Sequence, residues 1–185
     1  MFGSGALTCS GFLGARSPVD TRGKLTTQFM RLVIDDTAFA ILVRASADLY
    51  NLPTGLSRAV ILFGADLDER PYQVEGALVI TPVFLEPGDP RIQPDMPVWQ
   101  VGDWARGERS GFALKGVCAL AVVDGLLRYL THHPAFADLQ GVELVGHGLG
   151  AELLRRHAAR GAGNPGRFRL RYRLQRPAVQ AVTPR

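Results

Sequence analysis

The stretch VELVGHGLGAELLRRHAARG, residues 142–161, decides how this chain is read. Val142, Glu143, Leu144 and Val145 form a short β-prone run. Gly146, Gly148 and Gly150 then alternate with His147 and Leu149, and from Ala151 apolar residues recur at helical spacing. The pattern predicts a strand, a sharp turn and a helix. At such a junction, backbone amides and the positive end of the helix converge on whatever occupies the turn. The plainest alternative is a tight turn that uses glycine only because its φ is positive.

Working outward, residues 29–34 and 38–43 are apolar, β-branched runs separated by Asp35, Asp36 and Thr37, which predicts a hairpin without glycine. Residues 59–63, AVILF, run directly into Gly64 and read as a buried strand. Residues 77–85, ALVITPVFL, read as another, with Pro82 expected to end its pairing or place a bulge. The segment 86–110 is proline-rich and holds Trp99 and Trp104; it reads as a long loop whose tryptophans pack or line a cleft, with packing favoured. From Phe112, the residues Leu114, Val117, Cys118, Ala121, Val122 and Leu126 fall on one face of a helix.

Beyond Gly161, Gly163 and Pro165, the residues Arg167, Arg169, Arg171 and Arg173 alternate with Phe168, Leu170, Tyr172 and Leu174, the period of a strand with one solvated face. That alternation suits an exposed last strand better than a central one. Residues 1–24, rich in Gly, Ser and Thr, read as a loose arm, and 25–185 as a single domain. The whole predicts an α/β fold: a mostly parallel sheet with helices on both faces.

Composition narrows the function classes. The 185 residues carry a formal charge of +4 and are 46% apolar, enough for a core and unlike a disordered chain. No apolar run approaches the roughly 20 residues of a membrane span, and the first residues lack the basic start of a secretory signal, so a cytoplasmic protein is expected. Two cysteines, Cys9 and Cys118, exclude a disulfide framework or a four-cysteine zinc site. The adjacent His132 and His133, and His147 and His157 ten apart, do not match ligand spacing, so no metal is expected. Nine arginines follow Gly150 against one acid, Glu152. A nucleic-acid footprint and a solvated strand face both account for that excess; the strand face is favoured, because no nucleic-acid-binding motif accompanies it.

The string VELVGHGLGAELL resembles the nucleophile elbow of the α/β-hydrolase superfamily, VxLVGHSxGG, with Gly148 where the serine stands. The resemblance spans residues 58–177. RAVILFGADLDERPY is similar to the strand and oxyanion loop of bacterial members, ALVITPVFL to their next strand, VWQVGDWARGERS to a tryptophan-containing loop, and FALKGVCALAVVDGLLRYL to the helix before the elbow. It implies descent from a serine hydrolase of esters or amides that needs no cofactor. By this resemblance the Leu149 amide is one oxyanion donor, Gly64, Ala65 and Asp66 hold the second, and His147 flanks the turn but points away from it. Phe63 replaces the histidine usual before that glycine. His157 lies within the following helix, and the strands that carry the acid and the base are absent, as in a domain truncated after about six strands.

The expectation is therefore a catalytically impaired, hydrolase-like domain that takes a small ester- or acyl-like ligand. Two other readings stand beside it. Gly146, Gly148 and Ala151 satisfy G-x-G-x-x-A, a dinucleotide fingerprint in which Arg173 or Arg176 would meet the 2′-phosphate of NADPH. A remnant or interaction domain is the other. Ser110 and Cys118 are the remaining nucleophile candidates, with Cys118 expected in the core.

Overall fold

Two aspartates make the first turn. Asp35 and Asp36 both adopt positive φ, 46° and 62°, as a two-residue type I′ hairpin turn requires, and Asp is one of the few side chains that tolerates it. The turn joins β1 (Thr26–Ile34) to β2 (Thr37–Ala45), paired antiparallel from Thr26↔Ala45 to Ile34↔Thr37. This computed structural model describes residues 25–64, 70–73, 75–161 and 167–175; the predicted arm 1–24, with Cys9, lies outside them.

The remaining strands are β3 (Arg58–Phe63), β4 (Ala77–Val83), β5 (Pro97–Val98), β6 (Phe112–Ala113), β7 (Gly141–His147) and β8 (Arg169–Gln175), and the helices are α1 (Ala119–His132) and α2 (Leu149–Ala159). Six strands form one sheet in the order β1-β2-β4-β3-β7-β8, while β5 and β6 make a small separate ribbon. The β3–β4, β3–β7 and β7–β8 pairs are parallel. The architecture is thus the expected α/β fold with a mostly parallel sheet. Pro82 sits in β4 opposite Val43 of β2, beyond Ile80 where the pairing with β3 stops, so its missing N–H interrupts no bond on that side.

Burial explains the order. Ala59 through Phe63 are all buried, as a central strand covered on both faces requires. Ala59, Ile61, Phe63, Leu78, Ile80, Val142 and Leu144 turn toward α1 and α2 and make the main core with Val122, Leu126, Leu153 and Leu154. Both α-helices among the described residues pack on that face. On the other face, among the described residues, Leu25 and Tyr72 lie over Val60, Leu62, Val79 and Val145, and Leu85, Met96 and Val98 over Ala40 and Leu42. Within the described part of the crossover from β3 to β4 lies a 3-10 turn, Arg70–Tyr72.

The helix expected from Phe112 begins at Ala119. Leu114 and Val117 fit a helical wheel, but the Leu114 amide donates to Met96 O, Gly116 has φ 85°, and Phe112–Ala113 pairs with β5. Cys118 is accordingly the N-cap residue, in extended conformation and half-buried, with its thiol against Gly107 O at 3.1 Å; it is not a core position on the helix. Trp99 and Trp104 are buried: Phe84 stacks on Trp104 at 4.4 Å, and the Trp99 indole N–H donates to Glu108 O.

A buried polar tie joins α1, α2 and β8. His157, with no exposed surface, places Nε2 2.9 Å from Asp124 Oδ1 and Nδ1 2.9 Å from the Tyr172 hydroxyl. The tautomer protonated at Nε2 satisfies both contacts, donating to the carboxylate and accepting from the phenol. Arg160 closes the cluster on Asp124 Oδ2. Burial pushes the Asp124 carboxyl up, but the hydrogen bonds from His157 and Arg160 and the charge of Arg160 outweigh it and hold the carboxyl below the ordinary carboxylate range. A carboxyl whose pKa is depressed in the folded state contributes stability above its unfolded value and loses it as pH falls through the folded one. Asp124→Ala is expected to cost about 2 kcal/mol at pH 7, with the gap from the parent narrowing below the unfolded carboxyl range; paired urea titrations at pH 7 and pH 3 check this.

Candidate functional site

From β3 the chain crosses to β4 on one side, and from β7 through α2 to β8 on the other. Strands β3 and β7 are therefore neighbours whose connections leave in opposite directions, and in open α/β sheets a crevice forms beyond the carboxyl ends at such a switch point. Gly64 follows β3 there, and Gly148 follows β7.

The three glycines of the turn do different work. A Cβ on Gly150 would collide with the Phe63 carbonyl and come within 2.8 Å of Gly64 N; one on Gly146 would meet Ala151 Cα at 2.7 Å and Gly150 O at 2.7 Å. Both are backbone contacts, so neither neighbour can give way. Gly148 differs: nothing lies within 4 Å of its Cβ position. It stands at the apex with φ 54° and ψ −120°, a conformation that strains any L side chain. Gly64, at φ 127°, is locked in turn by His147 O, 2.5 Å from its own Cβ position.

The structure thus brings together Gly64, His147, Gly148 and Leu149. Ala65 and Asp66 lie outside the described residues. The amides of Ala151 and Glu152 donate to Gly148 O at 3.1 and 3.3 Å, which leaves those of Leu149 and Gly150 as first-turn donors without an intrahelical partner. Gly146 faces α2, so by alternation His147 faces the opposite side of the sheet, where it pairs with Gln175 in register. Two exposed apolar side chains rim the turn: Leu149, and Leu174 of β8 opposite Gly146. On the other side the Gln175 amide donates to the Tyr72 hydroxyl at 3.0 Å, tying the end of β8 to the turn after β3. Leu174, Gln175 and Tyr72 were not legible as site residues, because only the β7–β8 register carries the first two there.

Other candidates lie elsewhere. The His157–Asp124 pair belongs to the core, and His157 sits nine residues along α2 from Gly148, about 13 Å at helical rise. Ser110 is buried, its hydroxyl donating to Leu114 O and accepting from Val117 N. Arg173, the residue considered for a 2′-phosphate, has Nε 2.8 Å from Glu143 Oε1; Arg176 lies outside the described residues. Among the described residues no three His, Cys, Asp or Glu side chains converge as metal ligands, and no helix is long and apolar enough to cross a membrane.

No protein-family model and no curated protein matches the sequence. Among solved structures, the chain is similar to a protein from Agrobacterium vitis S4 described as a hydrolase, at 12% identity and TM-score 0.44, covering 81% of this chain and 51% of that one. It is similar to an α/β serine hydrolase without lid from Xanthomonas campestris, at 9% identity and TM-score 0.42, covering 81% and 83%. A protein from Lactobacillus plantarum WCFS1 described as a carboxylesterase aligns at 12% identity and TM-score 0.37, covering 72% and 48%. The chain spans about half the length of the Agrobacterium and Lactobacillus proteins.

The different constraints on the glycines are measurable. Gly150→Ala and Gly146→Ala are expected to cost more than about 3 kcal/mol, or to prevent folding, because a methyl group meets backbone. Gly148→Ala should cost only the strain of its positive φ, about 1–2 kcal/mol. Urea denaturation of the three variants separates the effects.

Proposed function

We propose that this is a domain of serine-hydrolase descent that binds a small acyl- or ester-type ligand and does not hydrolyse it. The observation that carries the reading is the contrast within GHGLG. Gly146 and Gly150 are enforced by backbone contact, while Gly148, the one apex position open to a side chain, has none. A turn built this closely suits the lifting of a nucleophile, and glycine has no hydroxyl with which to form an acyl intermediate. Among the described residues the histidine–carboxylate pair lies in the core, away from the apex.

What remains at the turn suits binding. The Leu149 and Gly150 amides, together with the start of α2, favour a carbonyl or carboxylate oxygen, since backbone N–H donation does not depend on the side chain. Leu149 and Leu174 offer exposed apolar surface to a short acyl chain. The proposed ligand is therefore amphipathic: an oxygen on the amides and a hydrocarbon on the rim.

Gly148→Ser tests the catalytic half of the proposal. The hydroxyl fits sterically, but among the described residues no histidine or carboxylate is placed to deprotonate it, so turnover of p-nitrophenyl butyrate is expected to stay at the buffer rate in both the parent and the variant. Robust hydrolysis by Gly148→Ser would overturn the reading, because it would require a working base at the turn.

A further inference from the structure

An open cavity lies at the opposite end of the sheet from the elbow. It is an open groove of about 640 Å³ at the amino ends of β3, β7 and β8, within the size range of small-molecule sites. The strand register explains its shape. Arg58, Gly141 and Arg169 form one row across three strands, and Val60, Glu143 and Arg171 form the next on the same face. Neighbouring strands lie about 4.8 Å apart, so the Cα atoms of Arg58 and Arg169 are about 10 Å apart, with the bare backbone of Gly141 as the floor between them.

The charge of the groove is not balanced from within. Glu143, whose side chain is 15% exposed, is contacted by Arg173 at 2.8 Å and, more loosely, by Arg58 at 4.0 Å. Arg167, also at the groove, donates to Thr131 O. Arg169 and Arg171 have no acidic partner among the described residues. Guanidinium groups gathered around one carboxylate repel one another and favour an anion held between them. A strand face needing only solubility would have no use for a side-chain-free floor between two of its arginines.

We propose that this groove binds a small phosphorylated molecule, its phosphate seated over Gly141 between Arg58 and Arg169. Planar guanidinium groups match phosphate oxygens bidentately, and the remaining volume, walled by Gln140 and Arg171, admits more than the anion alone. The site is independent of the elbow: Gly141 and His147 are the two ends of β7, about 20 Å apart.

Isothermal titration with inorganic pyrophosphate and with ADP, at matched ionic strength, tests the proposal. The decisive variant is Gly141→Val, which fills the floor and leaves every charge in place. The nearest atom to a Cβ there is Arg169 O at 3.7 Å, an ordinary contact, and the backbone is not left-handed. Gly141→Val and Arg169→Gln are each expected to weaken pyrophosphate binding about tenfold or more, while Arg106→Gln, paired with Asp103 away from the groove, leaves it unchanged. Should Gly141→Val misfold by circular dichroism, Arg169→Gln against Arg106→Gln decides alone. Tighter binding of ADP than of pyrophosphate assigns a nucleotide, and equal binding assigns the phosphate group itself. The proposal is overturned if the parent binds neither. It also fails if folded Gly141→Val binds as the parent does, or if a short single-stranded oligonucleotide binds more tightly than ADP and ignores Gly141→Val, since either result means diffuse attraction to the arginines.

Discussion

No side chain fits between the end of β3 and the start of α2. The Phe63 carbonyl occupies the place where a Cβ on Gly150 would stand, and Gly64 N lies just beyond. This backbone contact sets how closely the helix follows its strand, and therefore where the amides of its first turn aim. The pairing of β3 with β7, from Arg58↔Gly141 to Phe63↔Gly146, delivers the two chains to that point in register. Because β3 is buried on both faces, it has little freedom to move away. The open apex at Gly148 is the outcome of these constraints: everything around it is fixed by main chain, and above it there is room.

The same helix is held at its other end by polar contacts. His157, Asp124 and Tyr172 join α2 to α1 and to β8 inside the helix-covered layer, with Arg160 at the rim. The His157–Asp124 pair has its imidazole fully buried and both ring nitrogens engaged. It works as a brace. The two ends of β7 then meet solvent with different chemistry: backbone donors and apolar rim residues at His147, and guanidinium groups around bare backbone at Gly141.

Much of this was legible in the sequence, and the failures have physical causes. Strand, turn and helix around GHGLG followed from periodicity, as did the exposed arginine face of β8, because both signals are local. The three glycines look alike as letters, yet two answer to contacts with Phe63 and Ala151 and one does not, a difference that depends on tertiary approach. The start of α1 was misplaced because Leu114 and Val117 fit the helical wheel, while the Leu114 amide is drawn to Met96 O and Gly116 reverses the backbone. That Arg58 shares a row with Arg169 is a fact of register between strands distant in sequence. The Asp124–His157 contact between two helices was equally out of reach.

The central claim is that the first turn of α2 presents free amides to a ligand at the Gly148 apex. Nitrogen-15 amide spectra of the intact protein, recorded during a titration with butyrate, test it most directly. The account predicts saturable shifts concentrated at Leu149, Gly150 and the neighbouring Gly64, with Gly141 and Arg169 unmoved. Butyrate that leaves the Leu149 and Gly150 amides where they were, or shifts only the arginine groove, would contradict it.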